Sequence, residues 1–181
     1  RSGPTAVINR AFYANSIASF LATNEDEVLG ALARSNPFPT EAAQRDAWIE
    51  QIRILRRVLE PYSGRGSIYF EYAVPRLGKR IDVVLLIEHV IFVVEFKVGE
   101  KEFVASAIDQ VLDYAVDLKN FHETTHDRTV APVLLATKAK VAISTIGATA
   151  QNDGVLLPIR ATVDQLPSVL RGVLLFANGS P

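Results

Sequence analysis

Two short runs carry side chains of types that do chemistry. The first is Glu95-Phe96-Lys97, which closes a hydrophobic stretch, with Asp82 on the stretch before it. A strand shows one face to every second residue, so Glu95 and Lys97 point one way and Phe96 the other. If runs 80–87 and 90–98 form a hairpin about Glu88-His89, Asp82 lies opposite Glu95 on the same face. If the turn before it spans residues 75–78, Glu71 falls opposite Asp82, and three carboxylates line up across three neighbouring strands. A slip of one residue in either hairpin breaks that row. Like charges set opposite each other destabilise a sheet, and acids on otherwise apolar strands call for a counter-charge. Mg²⁺ or Mn²⁺ supplies it, since such hard cations take one or two carboxylates together with water and phosphate oxygens. Glu71, Asp82 and Glu95 are thus the expected metal ligands, and Lys97 the group that holds water and stabilises developing charge. Phosphodiester hydrolysis is the chemistry that follows.

The second run is His122-Glu123-Thr124-Thr125-His126. It matches H-E-x-x-H, in which two imidazoles one helical turn apart hold zinc and the glutamate is the general base of a peptidase. Such a site needs a third ligand downstream, and the sequence has no His and no Glu after His126. Only an aspartate-ligand variant through Asp127, Asp153 or Asp164 survives, so a zinc peptidase is the remote alternative. The two histidines are expected to leave the last turn of a helix, where partial positive charge suits the unpaired carbonyls.

The elements that position these residues are legible from periodicity. Asn24 with Glu27 is an N-cap and capping box for a short helix through Val28, Leu29 and Leu32. From about Glu41 to Glu60, Trp48, Ile52, Leu55 and Leu59 form one stripe of a longer helix, which leaves Glu50 and the arginines 53, 56 and 57 on other faces. Runs 67–74, 80–87 and 90–98 follow, the last two apolar on both faces and therefore central strands of a covered sheet. Val104, Ile108, Val111, Ala115 and Leu118 mark a helix from about Phe103 to Phe121. Residues 130–137 read as another buried strand, VLLPI (155–159) as a weaker one, and a helix runs from about Leu166 to Phe176 with Pro167 in its first turn.

At 181 residues, 49% of them hydrophobic, the chain suits one domain, here a helical extension over 1–40 and a main body over 41–181. A net charge of −1 means that any attraction for nucleic acid comes from a local patch. Cysteine is absent, which suits a cytoplasmic setting, and no apolar run reaches the length of a membrane span. Methionine is absent too, and the chain closes on turn formers, as expected of a module excised from a longer protein.

The order helix, three strands, helix, strand, with Asp82 and Glu95-Phe96-Lys97 at these places, resembles the PD-(D/E)XK nuclease superfamily. Ile81 stands where the nominal proline of the signature would be. The resemblance implies an α/β, restriction-endonuclease-like αβββαβ core, its central mixed sheet flanked by helices. It also adds the Phe96 backbone carbonyl to the metal ligands. Gln110 and Tyr114, one turn apart, are similar to the Q-x-x-x-Y motif of RecB-like members and are expected to touch substrate or orient the site. Arg76, Lys79 and Arg80 are expected on a basic rim that seats phosphates, with Lys101 nearby.

A closer likeness runs over most of residues 11–140, including AFYANSIASFL, FEYAVPRLGKRIDVVLL, FVVEFKVGE and QVLDYAVDLKNFHE. It resembles the N-terminal nuclease-like domain of bacterial proteins that continue into a Schlafen group 3-like DNA/RNA helicase domain. That implies a helicase domain in the same full-length chain; the expected partner is nucleic acid, DNA favoured over RNA. No G-x-x-x-x-G-K-[ST] phosphate loop occurs in these 181 residues. The alternative to a nuclease is a non-catalytic nucleic-acid-binding or helicase-docking module of the same fold.

Overall fold

The computed structural model describes residues 10–74, 76–121, 125, 127–151 and 153–179. Its centre is a six-stranded sheet in which each strand lies beside its sequence neighbours: β1 (Tyr13–Ser16), β2 (Gly66–Val74), β3 (Lys79–Ile87), β4 (Val90–Lys97), β5 (Thr129–Ala136) and β6 (Ile159–Ala161). The first four run antiparallel, and β4, β5 and β6 run parallel. The sheet is mixed because β4 and β5 are joined by a helix, α4 (Ala105–Phe121), whereas β2, β3 and β4 are joined by short turns.

Helices cover both faces. Against one face lie α1 (Ile17–Ala22), α2 (Glu25–Ser35), α3 (Ala42–Val58) and α5 (Leu166–Ala177), whose Phe20, Leu32, Trp48, Ile52 and Leu170 share one core with Phe70, Val83, Phe92 and Val133 of the sheet. Against the other lies α4, where Ala107, Val111, Tyr114 and Ala115 pack on Ile81, Val84, Val93 and Leu134. Coverage on both sides is why β4 is buried from Val90 to Phe96 and only Lys97 emerges. The αβββαβ order is thus α3, β2, β3, β4, α4, β5.

Asn24 caps α2, its side chain accepting the Glu27 N–H at 2.9 Å. The turn between β2 and β3 spans four residues, since Val74 faces Lys79, and the next spans two, since Ile87 faces Val90. The two-residue turn lacks the favoured Asn-Gly, and Glu88 meets its demand with φ 55°. Arg65 braces that turn: its Nε donates to Glu88 Oε1 at 3.0 Å.

Two expectations are corrected. Within the supposed helical extension over 1–40, residues 13–16 form a strand on the edge of the sheet, because Tyr13 to Ser16 pair with Phe70 to Ser67. The weak strand expected at 155–159 is displaced: Val155 and Leu156 make isolated bridges, and the strand that joins β5 is Ile159–Ala161, after Pro158, which has no N–H to give a ladder. Pro132 is tolerated within β5 because the β6 partners begin only at Val133.

Gly66 shows how tightly β2 sits on β3. A Cβ there would come within 1.9 Å of the Leu86 carbonyl oxygen. Gly66→Ala is expected to lower the unfolding free energy by about 3 kcal/mol or more, the cost of forcing a methyl against a main-chain carbonyl, measurable by urea titration.

Candidate active site

Asp82 and Glu95 meet where the β3–β4 ladder opens. Main-chain pairing runs outward from Ile87 and Val90 and ends at Val83 and Val94, so Asp82 and Glu95 hold the next opposed positions. There each carboxylate replaces a carbonyl of the ladder: the Asp82 N–H donates to Glu95 Oε1 at 2.8 Å, and the Phe96 N–H donates to Asp82 Oδ2 at 2.8 Å.

The pair is poorly solvated. Glu95 is 6% exposed, whereas Asp82 is only half-buried and gives the pair its opening to water. Burial pushes both carboxyls above the usual carboxylate range, and for Glu95 the charge of Asp82 adds to this. Lys97, half-buried at the end of β4, pulls both back down. Two acids in this position keep a shared proton near neutral pH unless a cation takes its place.

Tyr114 closes the α4 side. It is 4% exposed, and burial together with the nearby Glu95 and Asp82 carboxylates pushes its phenol up to about 12, so it remains a hydroxyl donor. Gln110 is half-buried one turn before it on α4. The fold thus brings Asp82, Glu95, Lys97 and Tyr114 together at one end of the sheet.

Glu71 departs from the expected row. Its position fits the register, between Phe70 opposite Val83 and Tyr72 opposite Ile81, yet its backbone is left-handed, with φ 53°. Alternation resets there: Phe70 and Val83 belong to the core under α3, whereas Tyr72 and Ile81 pack on the α4 side. The Glu71 carboxylate is turned to α3, where Oε1 accepts the Trp48 Nε1–H at 3.1 Å. The row of three carboxylates on one face is corrected to a pair with a third acid beside it, close enough for Asp82 to push the Glu71 carboxyl up.

Burial is the larger cause, and the Glu71 carboxyl rises to about 7. A carboxyl that titrates higher in the folded than in the unfolded chain costs no stability below the unfolded value of 4.5 and its full penalty above 7. Without divalent cations, Glu71→Gln is expected to be more stable than the parent by about 3 kcal/mol above pH 7, with the difference gone below pH 4.5. Urea titrations across that window measure it.

Arg80 is not a bare rim residue. Its Nη1 donates to the Glu71 carbonyl at 2.7 Å and to the Arg10 carbonyl at 3.3 Å, and the guanidinium lies 4.2 Å from the Phe12 ring centre. Arg76 and Lys79 are exposed at the β2–β3 turn, beyond Glu71. Lys101 is exposed in the loop after β4, which β5 ties down: Thr137 Oγ1 accepts the Gly99 N–H at 2.7 Å, and the Thr137 N–H donates to the Lys97 carbonyl at 3.2 Å. Glu50 stands apart, in a groove of about 390 Å³ with Arg53, Arg57 and Asp164.

The Asp82 and Glu95 carboxylates at one gap suit a hard divalent cation whose remaining ligands are other oxygens, water and phosphate among them. Among the described residues, no three acidic or histidine side chains converge into a cage for a metal ion. Of the H-E-x-x-H run, His122, Glu123, Thr124 and His126 lie outside the described residues. Thr125 is buried just past α4, its hydroxyl donating to the Lys119 carbonyl at 3.1 Å. No helix among the described residues is long and apolar enough to cross a membrane.

Spacing alone puts Trp48 in the core, and its hydrogen bond to Glu71 is a tertiary contact that spacing does not show. The available signal was chemical: a buried indole N–H requires an acceptor.

No family model matches the chain, and no curated protein matches it. Two solved structures are similar to it. One is a Vibrio cholerae protein, VC1899, at TM-score 0.40 and 10% identity over 84% of this chain, which spans 42% of that protein. The other is the small subunit of a heterodimeric restriction endonuclease, at TM-score 0.39 and 16% identity, covering 91% of this chain and 79% of that one.

Proposed function

We propose that the chain is a Mg²⁺- or Mn²⁺-dependent nuclease that hydrolyses phosphodiester bonds, in DNA rather than RNA. The observation that carries this reading is the pair of a buried Glu95 and a half-buried Asp82, each accepting a main-chain N–H at 2.8 Å at the open end of a sheet, with Lys97 beside it. Paired acids that burial pushes toward protonation destabilise a fold unless a ligand uses them.

In this reading Asp82, Glu95 and the Phe96 carbonyl hold the cation, and Glu71 serves as the third acid of the site. When bound, the cation supplies Lewis-acid charge to a phosphoryl group and acidifies water. Lys97 orients the attacking water and stabilises the charge that builds on the phosphoryl oxygens. Tyr114 donates its hydroxyl toward the acids or a phosphate oxygen, and Gln110 extends that contact by one helical turn. Arg76 and Lys79 seat flanking phosphates without reading sequence. Arg80, whose guanidinium donates to the Glu71 and Arg10 carbonyls, supports the site by fixing the Glu71 backbone. The proposal of a helicase domain in the full-length chain rests on the likeness over residues 11–140 alone.

The alternative is a domain of the same fold that binds nucleic acid and does not cut it. Labelled single- and double-stranded DNA and RNA incubated with Mg²⁺ or Mn²⁺ separate the two. Cleavage that disappears with chelator supports the nuclease. No cleavage with either cation, and binding unchanged in Glu95→Gln, supports the binding module.

A further inference from the structure

Glu71 is restrained at three points. Its backbone is left-handed, which turns the side chain from the α4 side of the sheet to the α3 side. Its carbonyl accepts from Arg80 Nη1 at 2.7 Å, and the same guanidinium is anchored by the Arg10 carbonyl and the Phe12 ring. Its Oε1 accepts from the indole of Trp48, which is 1% exposed and locked in the core. Among the described residues, Glu71 does not converge with Asp82 and Glu95 into a three-acid cage, and swinging Oε1 toward them would leave a buried indole N–H without an acceptor. The indole occupies one carboxylate oxygen and leaves the second for water.

We propose that Trp48 and Arg80 are positioning residues that hold Glu71 beside the Asp82 and Glu95 pair and out of direct cation ligation, so that its carboxylate acts on the site through water. The inference rests on the cation-dependent reading above and assigns Glu71 its place within it. Trp48 acts through its N–H, and Arg80 through the backbone conformation that it clamps.

Mg²⁺ binding by calorimetry and single-turnover cleavage of a labelled DNA duplex, with folding monitored by circular dichroism, test it in the 181-residue chain. Glu71→Gln and Trp48→Phe are expected to bind Mg²⁺ within threefold of the parent, while cleavage falls at least tenfold in kcat with KM unchanged. The Trp48→Phe and Glu71→Gln double variant is expected to be no slower than Glu71→Gln alone, because both changes remove one device. Arg80→Lys, which keeps the charge, is expected to repeat the kcat effect and covers a Trp48→Phe that fails to fold. Loss of Mg²⁺ binding in Glu71→Gln, to the degree seen in Glu95→Gln, makes Glu71 a direct ligand and overturns the inference alone. Additive losses in the double variant reduce Trp48 to packing and overturn it as well. A parent chain that binds no Mg²⁺ overturns the cation-dependent reading, and this inference with it.

Discussion

Glu95→Gln and Asp82→Asn are each expected to lower Mg²⁺-dependent cleavage by at least a thousandfold, about 4 kcal/mol in barrier, while raising the stability of the cation-free chain. Both effects have one source. Burial pushes both carboxyls above their ordinary range, and the charge of Asp82 adds to this for Glu95, which reaches about 9. The folded chain therefore binds more protons than the unfolded one, and stability falls as pH climbs from 4.5 towards 9. Glutamine at 95 removes that penalty and can still accept the Asp82 N–H through its carbonyl oxygen. A melting temperature higher by roughly 3–10 °C at pH 8 in chelator is expected for Glu95→Gln, from 1–3 kcal/mol of relieved repulsion. The cation must displace the shared proton, so its apparent affinity is expected to increase by about tenfold per pH unit below 9. The parent should gain melting temperature on adding Mg²⁺, and Glu95→Gln should gain none. Cleavage that survives both substitutions would place the chemistry elsewhere.

The opposition of Asp82 and Glu95 was legible because two local features fix it. Continuous apolar runs identify β3 and β4 as central strands, and turns of four and two residues set the register on either side. Register says which residues face each other but not which way a side chain leaves the strand. At Glu71 the backbone takes a left-handed value that glycine or asparagine favours, and no local signal in Phe70-Glu71-Tyr72 announces it. The cause is tertiary: Trp48 lies 23 residues earlier on α3, and Arg80 sits on the next strand. β1 was hidden for a similar reason, since Tyr13 to Ser16 lack an apolar run and become a strand by pairing with β2. β6 was displaced by a proline whose effect on pairing shows only once β5 is beside it. Long periodic elements such as α3 and α4 were readable to within two residues, because their stripes alone specify what they bury.

Lys97→Ala is the prediction that distinguishes a ligand from a catalytic cation. Lys97 is the last residue of β4, held against β5 through its own carbonyl, which accepts the Thr137 N–H at 3.2 Å. Main-chain pairing thus fixes its backbone, and truncating a half-buried side chain at the strand end should leave the fold intact. The ammonium pulls down the proton affinity of Asp82 and Glu95, and would repel a dication at the same acids. Removing it has opposed consequences for the cation: protons compete harder for the pair, and repulsion of Mg²⁺ disappears. Once the pH is high enough to strip the pair of its proton in both proteins, only the second remains, so Mg²⁺ is expected to bind Lys97→Ala as tightly as the parent or more tightly there. Cleavage should nonetheless fall by roughly a hundred- to a thousandfold, the cost of deleting one preorganised charge facing a phosphoryl oxygen. Lys97→Arg keeps the charge but spreads it over a planar fork, and is expected to recover only part of the rate. Calorimetry and single-turnover rates on the same samples decide the matter. A Lys97→Ala chain that loses Mg²⁺ and cleavage together would make the lysine part of the binding site's construction, not a participant in the reaction.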